Sequence, residues 1–303
     1  MSTWLKIVHC LMTKLFKFEF KNHHTGHTCV RCRRAHEGVP RSPYHVLDPS
    51  PWPILIVVGL WGIAITFICW ANGVPCNFLL LGALVAAIVV YGWTRDLVNE
   101  GTFQGFHTKK VQSGLTIGFI LFLVSELILF FSFFWGFFHS ALSPSLEVGC
   151  CWPPIGIDCL DWRKAPLHNT ALLVASSCTV TSSHKYLKAG NFSRAVGILL
   201  LTVLLSALFV KNQYGEYAWS SFTIADGVYG RCFFMLTGLH GMHVIGGTSG
   251  LLYCLVRMLA RQFSTMHHLA YTFAIWYWHF VDIVWLALFF IIYIWGSWYC
   301  ARV

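Results

Sequence analysis

Seven long apolar segments, separated by short stretches rich in Gly, Pro and charged residues, constrain the fold of this chain more than any other feature. A helix that crosses a bilayer needs about 20 apolar residues. Charged residues make up 11% of the chain, too few to cover a water-soluble globule of this size. The sequence therefore predicts an all-α integral membrane protein with seven transmembrane helices. The segments cover residues 54–71, 78–93, 115–138, 167–183, 195–210, 232–256 and 269–295.

The lengths of these segments differ. The second, fourth and fifth are short for a span of about 20 residues, and the third, sixth and seventh exceed that length. We expect the long ones to tilt or to protrude from the bilayer.

The net charge of +9 reflects membrane topology. No basic face with interleaved aromatic residues accompanies it, so the sequence does not favour a nucleic-acid partner. If the amino terminus lies inside, sixteen Lys and Arg residues fall on the inner side and five on the outer side, as the positive-inside rule requires. The acidic residues expected in outer loops are Glu147, Asp158, Asp161, Glu216 and Asp226.

Residues 1–48 form a basic arm that stands apart from the seven-helix region of residues 49–303. Its first 20 residues are compatible with a helix on the membrane surface or with a loosely ordered tail. Four zinc donors fall within ten residues of the arm but lack the long spacer of a zinc finger, so we favour a tail without metal. These donors are His27, Cys29, Cys32 and His36.

Glu126 is the ionisable residue least expected at its position. It lies near the middle of the third apolar segment, among Phe122, Val124, Leu127 and other apolar neighbours. A carboxylate there costs about 3 kcal/mol on insertion scales, so the group must be protonated, paired or next to a polar cavity. Three interpretations remain open: a neutral acid bonded to a neighbouring helix, a proton-handling group, or a contact to a lipid headgroup.

Two pairs of ionisable residues lie at helical spacing. His279 and Asp282 share one face of the last segment, which favours a buried polar network. His240 and His243 share a face of the sixth segment. Because no Glu-x-x-His companion or third ligand accompanies them, we reject a metal or haem site there and assign no metal to the chain.

A series of short motifs follows from Pro49 to the end of the last segment, and their order resembles subunit III of the haem–copper cytochrome c oxidases. The motifs are Pro51-Trp52-Pro53, Trp93-Thr94-Arg95-Asp96, Gln104-Gly105-Phe106-His107-Thr108, Ser125-Glu126, Phe134-Trp135, Phe138-His139-Ser140, Trp152-Pro153-Pro154-Ile155-Gly156-Ile157, Asn169-Thr170, Gln213-Tyr214-Gly215-Glu216-Tyr217, Phe222-Thr223-Ile224-Ala225-Asp226-Gly227-Val228-Tyr229-Gly230, Thr237-Gly238-Leu239-His240-Gly241-Met242-His243-Val244, Tyr277-Trp278-His279-Phe280-Val281-Asp282 and Trp295-Gly296-Ser297.

The resemblance implies a non-redox core subunit of cytochrome c oxidase. Helices I and II would form a pair and helices III to VII a bundle, with phospholipid in a V-shaped cleft between them. Haem and copper would belong to partner subunits, and the partners would be oxidase subunits I and II, accessory subunits and phospholipids. The family implies a mitochondrial inner membrane with the amino terminus in the matrix, or alternatively a bacterial plasma membrane.

The same resemblance assigns roles to individual residues. Glu126 would support proton uptake by the catalytic subunit. Independently of the resemblance, the positions of His240, His279 and Asp282 within apolar segments predict that they form the buried polar network. Lipid contacts would map onto His107, Glu126, His243, Arg257, Trp93 and Trp135.

The chain departs from the family pattern at four positions, namely Thr94, Phe106, Lys185 and Thr272. Thr272 matters most, because it replaces a family glutamate near the start of the last helix and leaves any contact that needs an acid there in doubt.

Two other functions remain as alternatives. A stand-alone proton transporter or channel would use Glu126 and Asp282. A haem-binding membrane enzyme would use His240 and His243.

Overall fold

A computed structural model describes residues 43–46, 49–74 and 79–297. Seven long α-helices run through these ranges, and no strand occurs in them. The arm up to residue 42, with its predicted surface helix and its zinc donors His27, Cys29, Cys32 and His36, lies outside the described residues. The helices are α1 (Trp52–Ala71), α2 (Leu79–Val98), α3 (Lys109–Leu142), α4 (Ala165–Lys188), α5 (Phe192–Ala218), α6 (Gly227–Leu259) and α7 (Leu269–Leu288). α2 continues as a π-helical turn, Asn99–Phe103, and α7 as a π-helical segment, Phe289–Trp295.

The seven-helix prediction is confirmed. Within the described residues, six helices are long and apolar enough to cross a membrane, and α4 is the less apolar seventh. The expectation that the second, fourth and fifth spans are short is wrong: α2 with its π-helical turn has 25 residues, α4 has 24 and α5 has 27. These helices continue past the polar residues at which the apolar pattern stops, because backbone hydrogen bonds form regardless of side-chain polarity.

One compact unit, which includes the described residues 43–46, 49–74 and 79–117, contains the pair α1 and α2. Glycines allow the two backbones to approach closely. A Cβ on Gly59 would lie 3.1 Å from the Ala86 nitrogen, and one on Gly82 would lie 3.0 Å from the Ile63 nitrogen. Close approach through small residues is how helices associate inside a bilayer, where the hydrophobic effect between them is absent.

Trp52, the first residue of α1, holds α1 and α2 together. The Trp52 indole donates a hydrogen bond from Nε1 to Asp96 Oδ2 at 2.7 Å, and Arg95 pairs with the other oxygen of the same carboxylate at 3.1 Å. The indole lies against Gly92, where a Cβ would come within 2.5 Å of the ring. Two of the sequence motifs, Pro51-Trp52-Pro53 and Trp93-Thr94-Arg95-Asp96, therefore meet in one contact.

The other unit includes residues 118–297 and contains most of the buried core. α4 is only weakly apolar, and hydrogen bonds to its neighbours explain why it is stable within this bundle. Several of its hydroxyl groups face neighbouring helices and are hydrogen-bonded to them. Trp278 Nε1 donates to Ser176, Tyr271 donates to Ser183, and Thr179 pairs with Thr202, at 2.8 to 2.9 Å. Hydroxyl side chains bonded across helices are stable in a membrane interior.

Glu216 lies in a different place from the one expected. The sequence placed it in an outer loop, but it occupies the last turns of α5 and is 7% exposed. Since α5 continues past Lys211 and Gln213, a charged residue before a polar motif does not mark the end of this helix.

Candidate functional site

Glu126 and His243 form a hydrogen-bonded pair between α3 and α6. Nε2 of His243 lies 2.6 Å from Oε2 of Glu126. Each residue occupies the middle of its helix. The side chains are 20% and 11% exposed respectively, so each group depends mainly on the other for its polar contact.

A second hydrogen bond decides where the protons of this pair lie. The other ring nitrogen of His243, Nδ1, lies 2.8 Å from the Leu239 carbonyl. A carbonyl oxygen can only accept, so Nδ1 carries a hydrogen atom. The contact between Nε2 and Oε2 then holds one further proton, either on the imidazole as part of an ion pair or on the carboxyl group. The pair can exchange these two states by moving one proton along a single short hydrogen bond.

Aromatic rings surround the pair. Phe130 packs edge-on against the His243 imidazole at 4.9 Å between ring centres, and Tyr277 stacks on it at 6.4 Å. Phe122 in turn stacks on Tyr277 at 6.2 Å. Because these rings exclude water and lower the local dielectric, they strengthen the electrostatic interaction of the pair.

His279 and Asp282 meet through a serine of α4. The Ser177 hydroxyl is hydrogen-bonded to Asp282 Oδ2 and lies 3.1 Å from His279 Nδ1. On the other side of the ring, Thr181 lies 3.2 Å from His279 Nε2. The spacing of the two residues places them on one face of the last helix, but it does not reveal Ser177 or Thr181, because spacing along one helix contains no information about its neighbour.

His240 lies apart from His243 despite their spacing. Its side chain is 1% exposed, and Nε2 donates to the Val281 carbonyl at 3.2 Å. Its ring packs at 5.1 Å from Trp285 and 5.9 Å from Phe209. His240 is therefore hydrogen-bonded to the backbone of α7, the helix that carries His279 and Asp282. His243, in contrast, contacts α3.

The residues predicted to contact lipid occupy several places. Trp93 on α2 and Trp135 on α3 are exposed, at 42% and 65%. Arg257, in the last turn of α6, is largely buried: Nε donates to Gln262 Oε1 at 3.1 Å, and the guanidinium lies 4.5 Å above the Phe263 ring.

His107 lies in the loop between the π-helical turn and α3. Its side chain is half-buried beside Gly101 and His45. Burial and, to a smaller extent, the neighbouring His45 lower the pKa of His107 below its usual value. The imidazole is therefore uncharged at neutral pH and interacts with an anion by donating an N–H group rather than through charge.

A second buried polar cluster, around Glu216, was not predicted from the sequence. Tyr293 donates to Glu216 Oε1 at 2.6 Å, and Gln213 lies 3.4 to 3.5 Å from Asn169, Glu216 and Tyr293. Among the residues that the structure describes, Glu216 Oε2 and Asn169 Oδ1 are buried and have no hydrogen-bond partner. The signal was present, since Gln213 and Glu216 are three residues apart and face the same side of a helix, but the motif was interpreted as a loop.

Most of the chain matches the model of a known protein family. The model of the family "Cytochrome c oxidase subunit III" matches residues 42–297. The chain belongs to this family. It is 48% identical over 254 residues to cytochrome c oxidase subunit 3 of Formosania lacustris, a match that covers 84% of this chain and 97% of that protein.

Other subunit 3 proteins are similar to the same degree. That of Scyliorhinus canicula is 48% identical over 255 residues, covering 84% of this chain and 98% of its own length. That of Anopheles gambiae is 47% identical over 255 residues, covering 84% and 97%. The recognition made from the motifs is confirmed, and the chain is a membrane subunit of cytochrome c oxidase, an oxidoreductase complex.

Two departures of this subunit III from the family pattern are accommodated locally. The Thr94 hydroxyl donates to the carbonyls of Val90 and Tyr91 at 2.8 and 3.0 Å. The Thr272 hydroxyl donates to the His268 carbonyl at 3.4 Å. Both threonines satisfy their polar groups within their own helix, so neither needs the partner that the family residue would contact.

Proposed function

We propose that this subunit holds no redox centre of its own and supports oxygen reduction and proton pumping at the haem and copper of partner subunits I and II. Its contribution is to stabilise the catalytic subunit, to bind phospholipid and to assist proton uptake. The observation that carries the proposal is the Glu126–His243 pair in the middle of two membrane helices.

The pair is suited to holding a proton and unsuited to a passive packing role. Two ionisable groups in a bilayer interior are costly, and a hydrophobic pair of similar volume would fill the same space without that cost. The 2.6 Å contact keeps one proton in a position where it belongs to either partner. Such a pair can hold a proton in the membrane interior without carrying electrons.

The histidines of α6 are poorly arranged to ligate haem. Both ring nitrogens of His243 are engaged, one with Glu126 and one with Leu239. His240 donates from Nε2 to a carbonyl and lies between aromatic rings in the core. A haem iron needs an available ring nitrogen with space beside it, so these contacts support placing haem in partner subunits.

Phospholipid contacts follow from the chemistry of four side chains. Arg257 lies in the last turn of α6, where a guanidinium can bind a phosphate bidentately. Trp93 and Trp135 are exposed aromatic residues of the kind enriched at membrane interfaces, and His107 offers an uncharged N–H donor. We place Glu126 and His243 in the same lipid-contacting set, because the pair remains partly accessible.

The mitochondrial inner membrane is the proposed location, with the amino terminus in the matrix. The similar proteins named above come from animals, which favours the mitochondrial membrane over a bacterial plasma membrane. The surplus of Lys and Arg on the inner segments supports the orientation.

Purification of the tagged native chain in a mild detergent tests the proposal. We expect the chain to co-purify with haem-bearing subunits, and the haem absorbance to leave with those subunits when the complex is dissociated. The partner subunits themselves would be identified by mass spectrometry.

Two results would contradict this function. A chain that purifies alone and conducts protons in vesicles would be a transporter or channel. A chain that retains haem absorbance after all partners are removed would be a haem-binding enzyme.

A further inference from the structure

The buried cluster around Glu216 contains two oxygen atoms to which the surrounding helices supply no hydrogen-bond donor. Among the described residues, Glu216 Oε2 and Asn169 Oδ1 have no hydrogen-bond partner. The two side chains are 7% and 0% exposed respectively. Buried polar groups in native proteins are nearly always satisfied, so two such acceptors in one cluster indicate a proton, an internal water molecule or an ion.

Three elements of the bundle meet at this cluster. Asn169 lies near the start of α4, Gln213 and Glu216 in the last turns of α5, and Tyr293 in the π-helical segment after α7. The four side chains are at most 7% exposed, and the ring of Trp285 lies 5.8 Å from that of Tyr293. The cluster is therefore closed to bulk water, and π-helical segments such as this one are frequent at functional sites.

The contacts of Gln213 decide which atoms of the cluster donate. Its side-chain nitrogen lies 3.5 Å from Glu216 Oε1 and 3.4 Å from the Tyr293 oxygen. Its side-chain oxygen lies 3.4 Å from the Asn169 nitrogen. Because only the NH₂ group of an amide can donate to two oxygen atoms, the Gln213 oxygen must accept from Asn169. Asn169 Oδ1 is then the acceptor that still needs a donor.

The charge state of Glu216 follows from its surroundings. Among the described residues, no Lys, Arg or His forms an ion pair with it. The titratable groups that face it there are the hydroxyls of Tyr293 and Tyr217, of which the second donates to Thr237. A carboxylate buried without a counter-charge is so costly that the group takes up a proton instead. Since Oε1 already accepts from Tyr293 at 2.6 Å, this proton belongs on Oε2.

We propose that Glu216 and Asn169 form a buried site for one proton and one water molecule. The Oε2–H group of a neutral Glu216 donates to the water, and the water donates to Asn169 Oδ1. The bridge satisfies both unpartnered atoms, as buried water molecules do for polar groups that cannot reach each other. Ca²⁺ and Mg²⁺ fit poorly, because each needs about six or more oxygen ligands.

The site goes beyond the proposed function, which assigns proton handling to Glu126. That residue lies in the middle of α3, whereas Glu216 lies near the end of α5. With the amino terminus in the matrix, as proposed, α5 ends on the outer side of the membrane. The subunit then holds protons at two depths, and the second one links α4 to α5 through the water.

Infrared difference spectroscopy of the intact oxidase complex tests the proton. A neutral carboxyl group gives a C=O stretching band that is separate from the bands of a carboxylate. We expect the parent-minus-variant spectrum of Glu216→Gln to contain this band. Asp161→Asn is the matched control, an exposed acid before α4, and its difference spectrum should lack the band. A Glu216→Gln difference spectrum that shows only lost carboxylate bands would overturn the proposal.

Asn169→Leu tests the water. Leucine has a similar volume but offers no acceptor, so the water loses the atom to which it donates. We expect the carboxyl band of Glu216 to remain and to move to higher frequency, because its Oε2–H group becomes more weakly hydrogen-bonded. A band at the parent frequency would overturn the link between the two residues.

Cryo-electron microscopy of the parent complex keeps the test valid if a variant fails to assemble. We expect density for one solvent molecule at about 2.5–3.0 Å from both Glu216 Oε2 and Asn169 Oδ1. Two outcomes would overturn the site. One is a direct contact between these atoms with no density between them, and the other is a peak surrounded by six or more oxygen atoms, which would be a cation.

Discussion

Nε2 of His243 and Oε2 of Glu126 lie 2.6 Å apart, although the two residues are separated by 117 positions in the sequence. Each is a residue that a bilayer interior disfavours when it stands alone. Together they satisfy one another, and the remaining imidazole N–H donates to the Leu239 carbonyl. Removing either partner leaves the other without its ionic or hydrogen-bonded contact.

Glu126→Gln should leave assembly intact and impair proton handling. The amide keeps the volume and a hydrogen bond to His243 but cannot give up a proton at functional pH. We expect slower proton uptake, or faster loss of activity during turnover, measured by stopped-flow pH changes and by activity against turnover number. Ser125→Ala is the matched control, because that hydroxyl bonds only the Phe122 carbonyl of its own helix. A Glu126→Gln complex that pumps and endures like the parent would remove the proposed role.

Glu126→Leu tests the pair itself. It leaves His243 Nε2 without a partner, which costs about 1–3 kcal/mol for a buried polar group. The double variant Glu126→Leu with His243→Leu should recover part of this loss, because no polar group is then orphaned. Thermal denaturation of the complex in detergent measures both effects, and strictly additive losses would argue against a coupled pair.

Ser177→Ala should destabilise the bundle. The substitution removes the hydroxyl shared by His279 and Asp282, and each buried group left unsatisfied costs about 1–3 kcal/mol. Ser182→Ala on the same helix is the control: Ser182 is half-buried and donates to the Cys178 carbonyl of its own helix, so the loss of stability should stay within about 0.5 kcal/mol. Equal melting temperatures for the two variants would show that the shared serine is dispensable.

Gly92→Ala should disrupt the pair α1 and α2. The new methyl group would meet the Trp52 ring at 2.5 Å and displace the indole from Asp96, with an overpacking cost of about 1–3 kcal/mol. Gly118→Ala, where a Cβ meets nothing within 4 Å, should be neutral or slightly stabilising. Limited proteolysis of the loop after α1 compares the two, and equal cleavage rates would contradict the predicted displacement.

Arg257→Gln should reduce the phospholipid that co-purifies with the complex. The substitution removes the guanidinium that we expect to bind a phosphate bidentately. Native mass spectrometry counts the bound lipids. Arg261→Gln is the control, an exposed arginine four residues further along, and should keep the parent's lipids. Unchanged lipid content in the Arg257 variant would exclude its headgroup role.

The sequence predicted the helices better than it predicted their ends. Apolar runs reveal a span because lipid requires them, but they stop at the first charged or polar residue. α5 continues through Lys211 and Gln213 to Ala218, since a helix end in a bundle is decided by capping and by contacts with neighbouring helices. Glu216 was therefore wrongly predicted to lie in a loop.

The candidate site was predicted residue by residue but without its contacts. Glu126, His243, His279 and Asp282 were all singled out, because ionisable groups in apolar segments are rare enough to be noticed in one chain. Their partners were not predictable. Ser177 and Thr181, which contact His279 and Asp282, are ordinary hydroxyl residues of α4.

The amino-acid sequence alone determined that this chain is a seven-helix membrane subunit of the oxidase family, because apolar length and collinear motifs are properties of the linear order of residues. Only the tertiary structure decided that Glu126 meets His243, that Ser177 joins His279 to Asp282, and that Tyr293 meets Glu216. A side chain's hydrogen-bond partner depends on how helices distant in sequence pack and rotate against one another, and that packing arises from all the contacts of the fold together.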